Sequence, residues 1–149
     1  MDRSDFIERG ELKVDFLKYY RLISRWAAKN NNLNIADLEL LFYLDPIMYF
    51  TIDDFKDGTL FYSWDKDRFY RLQREGWINK TYIGGGRRGD HNKYRVTQKG
   101  KLLINKIYRI LIGKEDLPFS AKRNTIMKRK TYIDKVYSQA IKKFNKQKK

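Results

Sequence analysis

A β-hairpin pattern between residues 77 and 97 limits the fold of this chain more than any other feature of the sequence. Residues 77–83 have the pattern of a strand, the glycine-rich residues 84–92 that of a turn, and residues 93–97 that of the returning strand. The periodic segments before and after the hairpin are helical. We therefore expect a single domain over residues 1–149, mainly α-helical with one small hairpin, in the α+β class.

Three helical patterns open the chain. Apolar residues recur at helical spacing over residues 12–28, and Asn34 is placed to cap a second helix that stops at Asp45-Pro46. Residues 51–54, Thr-Ile-Asp-Asp, have the form of a capping box and predict about two turns of helix ending at Asp57-Gly58. The start of the chain thus predicts three helices in succession.

A fourth, short helix precedes the hairpin and has one basic side. Ser63 is its predicted N-cap, Phe69 and Leu72 form its inward pair, and Gly76 ends it. The outward side carries Lys66, Tyr70, Arg71 and Arg74.

Two further helices are expected after the hairpin. The first follows Gly100 and has Leu103, Ile107, Ile110 and Leu111 on its apolar side. The last has an apolar stripe at helical spacing, formed by Ile133, Val136, Tyr137, Ala140, Ile141 and Phe144.

Positive charge is concentrated in the second part of the chain. The formal net charge is +15. Residues 1–63 carry 8 Lys and Arg against 11 Asp and Glu, residues 64–121 carry 14 against 6, and residues 122–149 carry 11 against 1. This asymmetry indicates a polyanionic partner for the middle and end of the chain.

Several other classes of protein and site are disfavoured. The chain has no cysteine and one histidine, His91, so thiolate chemistry and a transition-metal site are not expected. Residues 84–89 lack the Gly-Lys-Ser/Thr of a P-loop, and residues 53–64 place Phe55 and Trp64 where calcium would need oxygen ligands. No metal, no cofactor and no catalytic residue is expected, so the chain is not predicted to be an enzyme. No apolar run is long enough for a membrane helix, and we expect a cytoplasmic protein.

Two motifs resemble the DNA-reading part of the MarR-type transcription regulators. Residues 72–78, Leu-Gln-Arg-Glu-Gly-Trp-Ile, are similar to the end of that family's recognition helix, and residues 96–100, Val-Thr-Gln-Lys-Gly, are similar to the Leu-Thr-x-x-Gly that closes its second wing strand. The resemblance covers about residues 33–112 and implies a winged helix-turn-helix. In that family the outer helices pair two subunits. The resemblance therefore implies that residues 8–30 and 126–146 form flanking dimerisation helices of a homodimer.

The resemblance implies a sequence-specific regulator of transcription whose partner is double-stranded DNA. A helix fits the major groove, and arginines beside glycines suit the narrow minor groove. The expected DNA-binding residues are Ser63, Lys66, Tyr70, Arg71 and Arg74 on the fourth helix, and Arg87, Arg88, His91 and Lys93 in the wing.

Two alternatives stay open at this point. The chain can instead be a winged-helix module for protein assembly, RNA or non-specific nucleic-acid binding, with the Lys-rich residues 142–149 as a tether. Tyr19, Tyr20 and Trp26 either line a pocket for a small-molecule effector, as the resemblance allows, or pack as ordinary core.

The abundance of Lys, Asn, Ile and Tyr is typical of an AT-rich bacterial or phage genome.

Overall fold

The computed structural model describes residues 13–62 and 65–147, with side chains for residues 19–59 and 65–146. The predicted class is confirmed: this part of the chain is mainly helical, with a small antiparallel hairpin. In chain order the elements are α1 (Lys13–Asn30), α2 (Ile35–Leu44), α3 (Ile52–Tyr62), α4 (Lys66–Arg74), β1 (Ile78–Tyr82), β2 (Lys93–Val96), α5 (Gln98–Leu111), a 3-10 helix (Thr125–Lys128) and α6 (Tyr132–Gln147).

The chain divides into two compact units. The first comprises residues up to 35 together with those from 105 onward, and the second comprises residues 36–104. The predicted flanking segment 8–30 begins outside the described residues, and the Lys-rich end 142–149 finishes outside them. Within the described part, residues 142–147 form the last turns of α6.

An aromatic cluster forms the core of the second unit. Phe69 lies 5.2 Å from Phe55 and 5.0 Å from Tyr94 between ring centroids, and Phe50 stacks on Tyr94 at 6.2 Å. All four residues are buried. Aromatic pairs at these separations add to the free energy of burial, so helices α3 and α4 and strand β2 are held around one centre.

A third, very short segment pairs with the hairpin, and the sequence analysis did not predict it. Strands β1 and β2 pair Ile78 with Val96 and Lys80 with Tyr94, and the register shifts before Tyr82. On its other side Tyr94 exchanges both backbone hydrogen bonds with Phe50, at 2.8 and 2.9 Å. This bridge ties the segment before α3 to the hairpin.

Helix α3 begins as predicted but ends later. The Thr51 hydroxyl accepts from the Asp54 amide at 3.3 Å, and the Asp54 carboxylate accepts from the Thr51 amide at 2.8 Å, which confirms the capping box. The predicted end at Asp57-Gly58 is wrong, because α3 continues to Tyr62. Gly58 is buried and keeps a negative φ, so the helix passes through it without the left-handed residue that would end it.

Helix α5 begins before Gly100, not after it. Thr97 precedes the first helical residue, and its hydroxyl accepts a hydrogen bond from the Gly100 amide at 3.3 Å. A Cβ on Gly100 would lie 2.6 Å from Val96 Cγ1, so a side chain at this position would force the valine of strand β2 to shift. The four predicted apolar residues of α5 are all buried.

In the first unit, α1 and α6 are joined by a buried carboxylate. Asp134 accepts a hydrogen bond from Lys29 at 2.5 Å, and Thr131 caps the helix by accepting from the Asp134 amide at 3.0 Å. The predicted stripe of α6 is only partly buried. Ile141 and Phe144 are buried, whereas Ile133 and Val136 are exposed.

Candidate nucleic-acid interface

Helix α4 is fixed by its ends and by its apolar side. Its N-cap is Asp65, whose carboxylate accepts from the Arg68 amide at 2.8 Å, and not Ser63 as predicted. The positive end of the helix dipole also stabilises the negative charge of an aspartate at this position, which makes it a strong cap. Ser63 itself lies outside the described residues. The predicted inward pair, Phe69 and Leu72, is fully buried.

The C-terminal end of α4 confirms the role predicted for Gly76. This glycine has a φ of +85°, and the amide of the next residue, Trp77, donates to the Leu72 carbonyl at 2.9 Å. A left-handed residue followed by this long backbone bond is a common way to end a helix. The turn leads directly into β1, so the hairpin follows the helix without a linker.

Three of the predicted residues share the exposed side of α4. Lys66, Tyr70 and Arg74 are spaced by four, which is slightly more than one helical turn, and all three are exposed. The Tyr70 ring packs edge-on against buried Phe69 with centroids 5.6 Å apart, and this contact limits its motion. We call these three residues the α4 stripe.

Arg71 has a different environment from the α4 stripe. Its guanidinium donates to the buried carboxylate of Asp37 on α2 at 2.5 Å, and Arg68 donates to the same oxygen at 2.9 Å. The hydrogen bond to Asp37 raises the pKa of Arg71 above its usual value, and Glu75 contributes in the same direction. Arg71 is thus engaged within the second unit, where it joins α4 to α2.

The hairpin tip is held by two polar side chains that the sequence analysis did not select. Asp90 accepts from the Tyr82 hydroxyl at 2.6 Å and from the Gly85 amide at 2.7 Å. Asn92 accepts from the Gly84 amide at 2.9 Å. The hydrogen bond with Tyr82 lowers the pKa of Asp90 below its usual value and raises the pKa of Tyr82. An Asp and an Asn inside a glycine-rich turn are the signal that could have indicated this arrangement.

The glycines of the tip are required by the same arrangement. A Cβ on Gly84 would lie 2.1 Å from the Asp90 carbonyl oxygen, which no side chain can tolerate. Gly86 and Gly89 have φ values of +82° and +83°. The loop is therefore a specific turn and not a generally permissive one.

The four predicted wing residues all lie at the surface. Arg87, Arg88, His91 and Lys93 are exposed, and the Lys93 ammonium lies 5.5 Å from the centre of the Tyr82 ring. Neither Arg87 nor Arg88 forms an ion pair with a carboxylate among the residues that the structure describes. Their charges are available to a partner.

His91 and Asn92 also line a cleft at the start of α3. The cleft has a volume of about 330 Å³, and its remaining lining residues are Thr51, Ile52, Asp53 and Lys56. It brings the tip loop of the hairpin next to the N-terminus of α3. Its mixed charges identify no ligand.

Other kinds of site are not found in the described residues. Across residues 13–62 and 65–147, no group of three or more His, Cys, Asp or Glu is arranged to hold a metal ion. Within the same residues no helix has the length and apolarity needed to cross a membrane.

Comparisons with known proteins add no relative. Neither protein-family models, nor curated proteins, nor solved structures gave a match to this chain.

Proposed function

We propose that this protein is a sequence-specific double-stranded-DNA-binding regulator of transcription, with α4 as the recognition helix and the hairpin as the wing of a winged helix-turn-helix. The order of elements in residues 36–104 supports this proposal. Helices α2, α3 and α4 precede the hairpin, α5 follows it, and the bridge between Phe50 and Tyr94 adds a short third pairing to the small sheet.

The α4 stripe is the observation that carries the proposal. A helix that enters the major groove must be fixed on one side and offer hydrogen-bonding side chains on the other. Phe69 and Leu72 fix α4, while Lys66, Tyr70 and Arg74 face solvent. Lys66 and Tyr70, closer to the N-terminus of the helix, are the proposed base contacts, and Arg74 is a proposed phosphate contact.

The hairpin supports a second contact with the same duplex. Arg87 and Arg88 extend from a tip whose conformation is fixed by Asp90 and Asn92. A fixed tip loses little entropy on binding, and arginines are attracted to the strong negative potential of a narrow minor groove. We propose that these two arginines enter the minor groove beside the recognition helix.

Exposed apolar residues on α6 support a homodimer. Tyr132, Ile133 and Val136 are 80%, 53% and 50% exposed, at the start of a helix whose later residues Ile141 and Phe144 are buried. We propose that a second copy of the chain covers them. A dimer would read a DNA site of two-fold symmetry.

The test is a selection of binding sites from a randomised duplex pool at moderate salt, followed by sequencing. The proposal expects enrichment of one motif with two-fold symmetry, and poor binding of that motif by the Arg87→Ala/Arg88→Ala variant. The Val136→Glu variant should sediment as a monomer if α6 forms the dimer interface. Retention of DNA without any enriched motif would instead support the alternative, a non-specific nucleic-acid-binding module.

A further inference from the structure

A second cleft lies in the first unit, away from α4 and the hairpin in sequence. Its volume is about 330 Å³, and it is lined by Asp116, Phe119, Lys142, Asn145 and Lys146. Phe119 comes from the segment before the 3-10 helix, and the two lysines come from α6. The cleft therefore combines an aromatic ring with two positive charges and one carboxylate, that of Asp116.

The Phe119 ring is exposed although the backbone just before it is fixed. Phe119 is 67% exposed. Asn145 accepts from the Leu117 amide and donates to the Leu117 carbonyl, both at 3.0 Å, and Asn124 donates to the Pro118 carbonyl at 2.8 Å. The exposure is thus a property of an anchored segment, and the ring is presented at a defined place.

The two lysines of the cleft are one helical turn apart on α6. Like charges at this spacing destabilise a helix by a few tenths of a kcal/mol, and neither lysine forms an ion pair within the described part of the chain. Asp116 lines the cleft with them, and beyond it, between residues 117 and 146, the only acidic residue is Asp134, which is buried and bound to Lys29. Nine cations of this segment are exposed: Lys122, Arg123, Lys128, Arg129, Lys130, Lys135, Lys142, Lys143 and Lys146.

We propose that this cleft binds a nucleotide of single-stranded nucleic acid, with the base stacked on Phe119 and the adjoining phosphates held by Lys142 and Lys146. The exposed ring favours a single strand over a duplex as the ligand. In a duplex the base faces are already stacked, so a duplex would use only the lysines, whereas an unpaired base can use the ring as well. Because every base has a flat face, this site would bind with little sequence preference.

The experiment is an anisotropy titration of a fluorescein-labelled oligothymidylate with the full-length protein at several salt concentrations. Phe119→Ala should weaken binding by roughly 5- to 150-fold, the usual effect of removing one stacking partner. Phe119→Tyr keeps the ring and should bind like the wild type. Lys142→Gln/Lys146→Gln should reduce the slope of log affinity against log salt by about 1.4, from about 0.7 for each phosphate contact on a single strand.

Two controls separate this site from bulk charge and from the proposed wing. Lys128→Gln/Lys130→Gln removes the same charge outside the cleft and should weaken binding less than the cleft pair. Arg87→Ala/Arg88→Ala removes two charges at the wing and should weaken oligothymidylate binding no more than Lys128→Gln/Lys130→Gln does, so a failure of the wing proposal can be told apart from a failure at the cleft.

Three results would overturn the proposal. These are equal binding by Phe119→Ala and Phe119→Tyr, equal losses from the two lysine pairs, and a Phe119→Ala variant that loses binding to phosphatidylserine vesicles but not to the oligonucleotide.

Discussion

Replacing Asp37 with alanine should destabilise the second unit substantially, because this carboxylate holds two arginines of α4. Asp37 is 1% exposed and accepts from Arg68 at 2.9 Å and from Arg71 at 2.5 Å. It also lies in the first turn of α2, where a negative charge is favourable. Its loss therefore removes the polar contact that joins α2 to α4.

The magnitude follows from the exposure of the partners. Breaking a buried ion pair costs about 3–5 kcal/mol when a charge is left buried and unpaired. The side chains of Arg68 and Arg71 are 21% and 33% exposed, so both can regain water after the substitution. Each hydrogen bond to a charged group contributes about 1.5–3 kcal/mol, and the hydration that the arginines recover offsets part of the sum. We therefore expect the free energy of unfolding to decrease by about 2–4 kcal/mol. For a chain of this length this corresponds to a decrease in Tm of roughly 5–15 °C.

The assay is urea and thermal unfolding followed by circular dichroism at 222 nm. Asp57→Ala is the matched control, because Asp57 is exposed on α3 and its replacement should change the free energy of unfolding by no more than about 0.5 kcal/mol. If Asp37→Ala is as stable as Asp57→Ala, then the contact between Asp37 and the two arginines does not stabilise the fold, and the reasoning is refuted.

Three further predictions concern glycine packing, pH and the wing. Gly100→Ala should lower stability by about 1–3 kcal/mol in urea unfolding although alanine is the better helix former, because the new Cβ would overlap Val96; an unchanged midpoint would contradict the close approach. Burial opposes ionisation of Asp134, but its hydrogen bond with Lys29 and the nearby charges outweigh burial and lower its pKa. Its contribution to stability is therefore complete above about pH 4, the usual unfolded-state value, and is lost as the pH falls through the lowered value, so Asp134→Asn should lose less stability than the wild type between pH 5 and pH 3. Gly84→Ala should disturb the tip that Asp90 closes and should weaken duplex binding in an anisotropy titration without changing the melting of the helices; wild-type affinity would show that the tip conformation is irrelevant to binding.

Local features of the fold were predictable from the sequence because a few neighbouring residues determine them. The capping box at Thr51, the termination of α4 at Gly76 and the inward pair of α4 each depend on residues within one or two turns. The three errors at helix ends also involve neighbouring residues. Asp65 caps α4 where Ser63 was expected, Thr97 precedes α5 where the helix was expected after Gly100, and α3 continues through Gly58.

Two of the features that sequence reasoning missed are long-range. Phe50 pairs with Tyr94, and Asp37 binds Arg71, 34 residues further along the chain. No periodicity links such positions, since their contact depends on how the helices pack. An aspartate among the apolar residues of α2 was the one available signal for a buried charge and its partner.

The candidate site also has features that the sequence predicts and features that it does not. The exposed positions Lys66, Tyr70 and Arg74 follow from helical spacing alone. The engagement of Arg71 with Asp37 does not, and neither does the closure of the wing tip by Asp90. Residue type and spacing thus predict which side chains reach the surface, whereas the partners that hold them require the folded structure.

The most direct test of the central claim is the ratio of affinities for the selected duplex and for a scrambled duplex of equal composition, measured by anisotropy at the same salt. The account predicts a ratio of about 10³ or more for the wild type. It also predicts that the ratio falls towards one in a Lys66→Ala/Tyr70→Ala/Arg74→Ala variant that keeps its helical circular dichroism. A wild-type ratio near one, or a ratio unchanged in this variant, would contradict the assignment of α4 as the recognition helix.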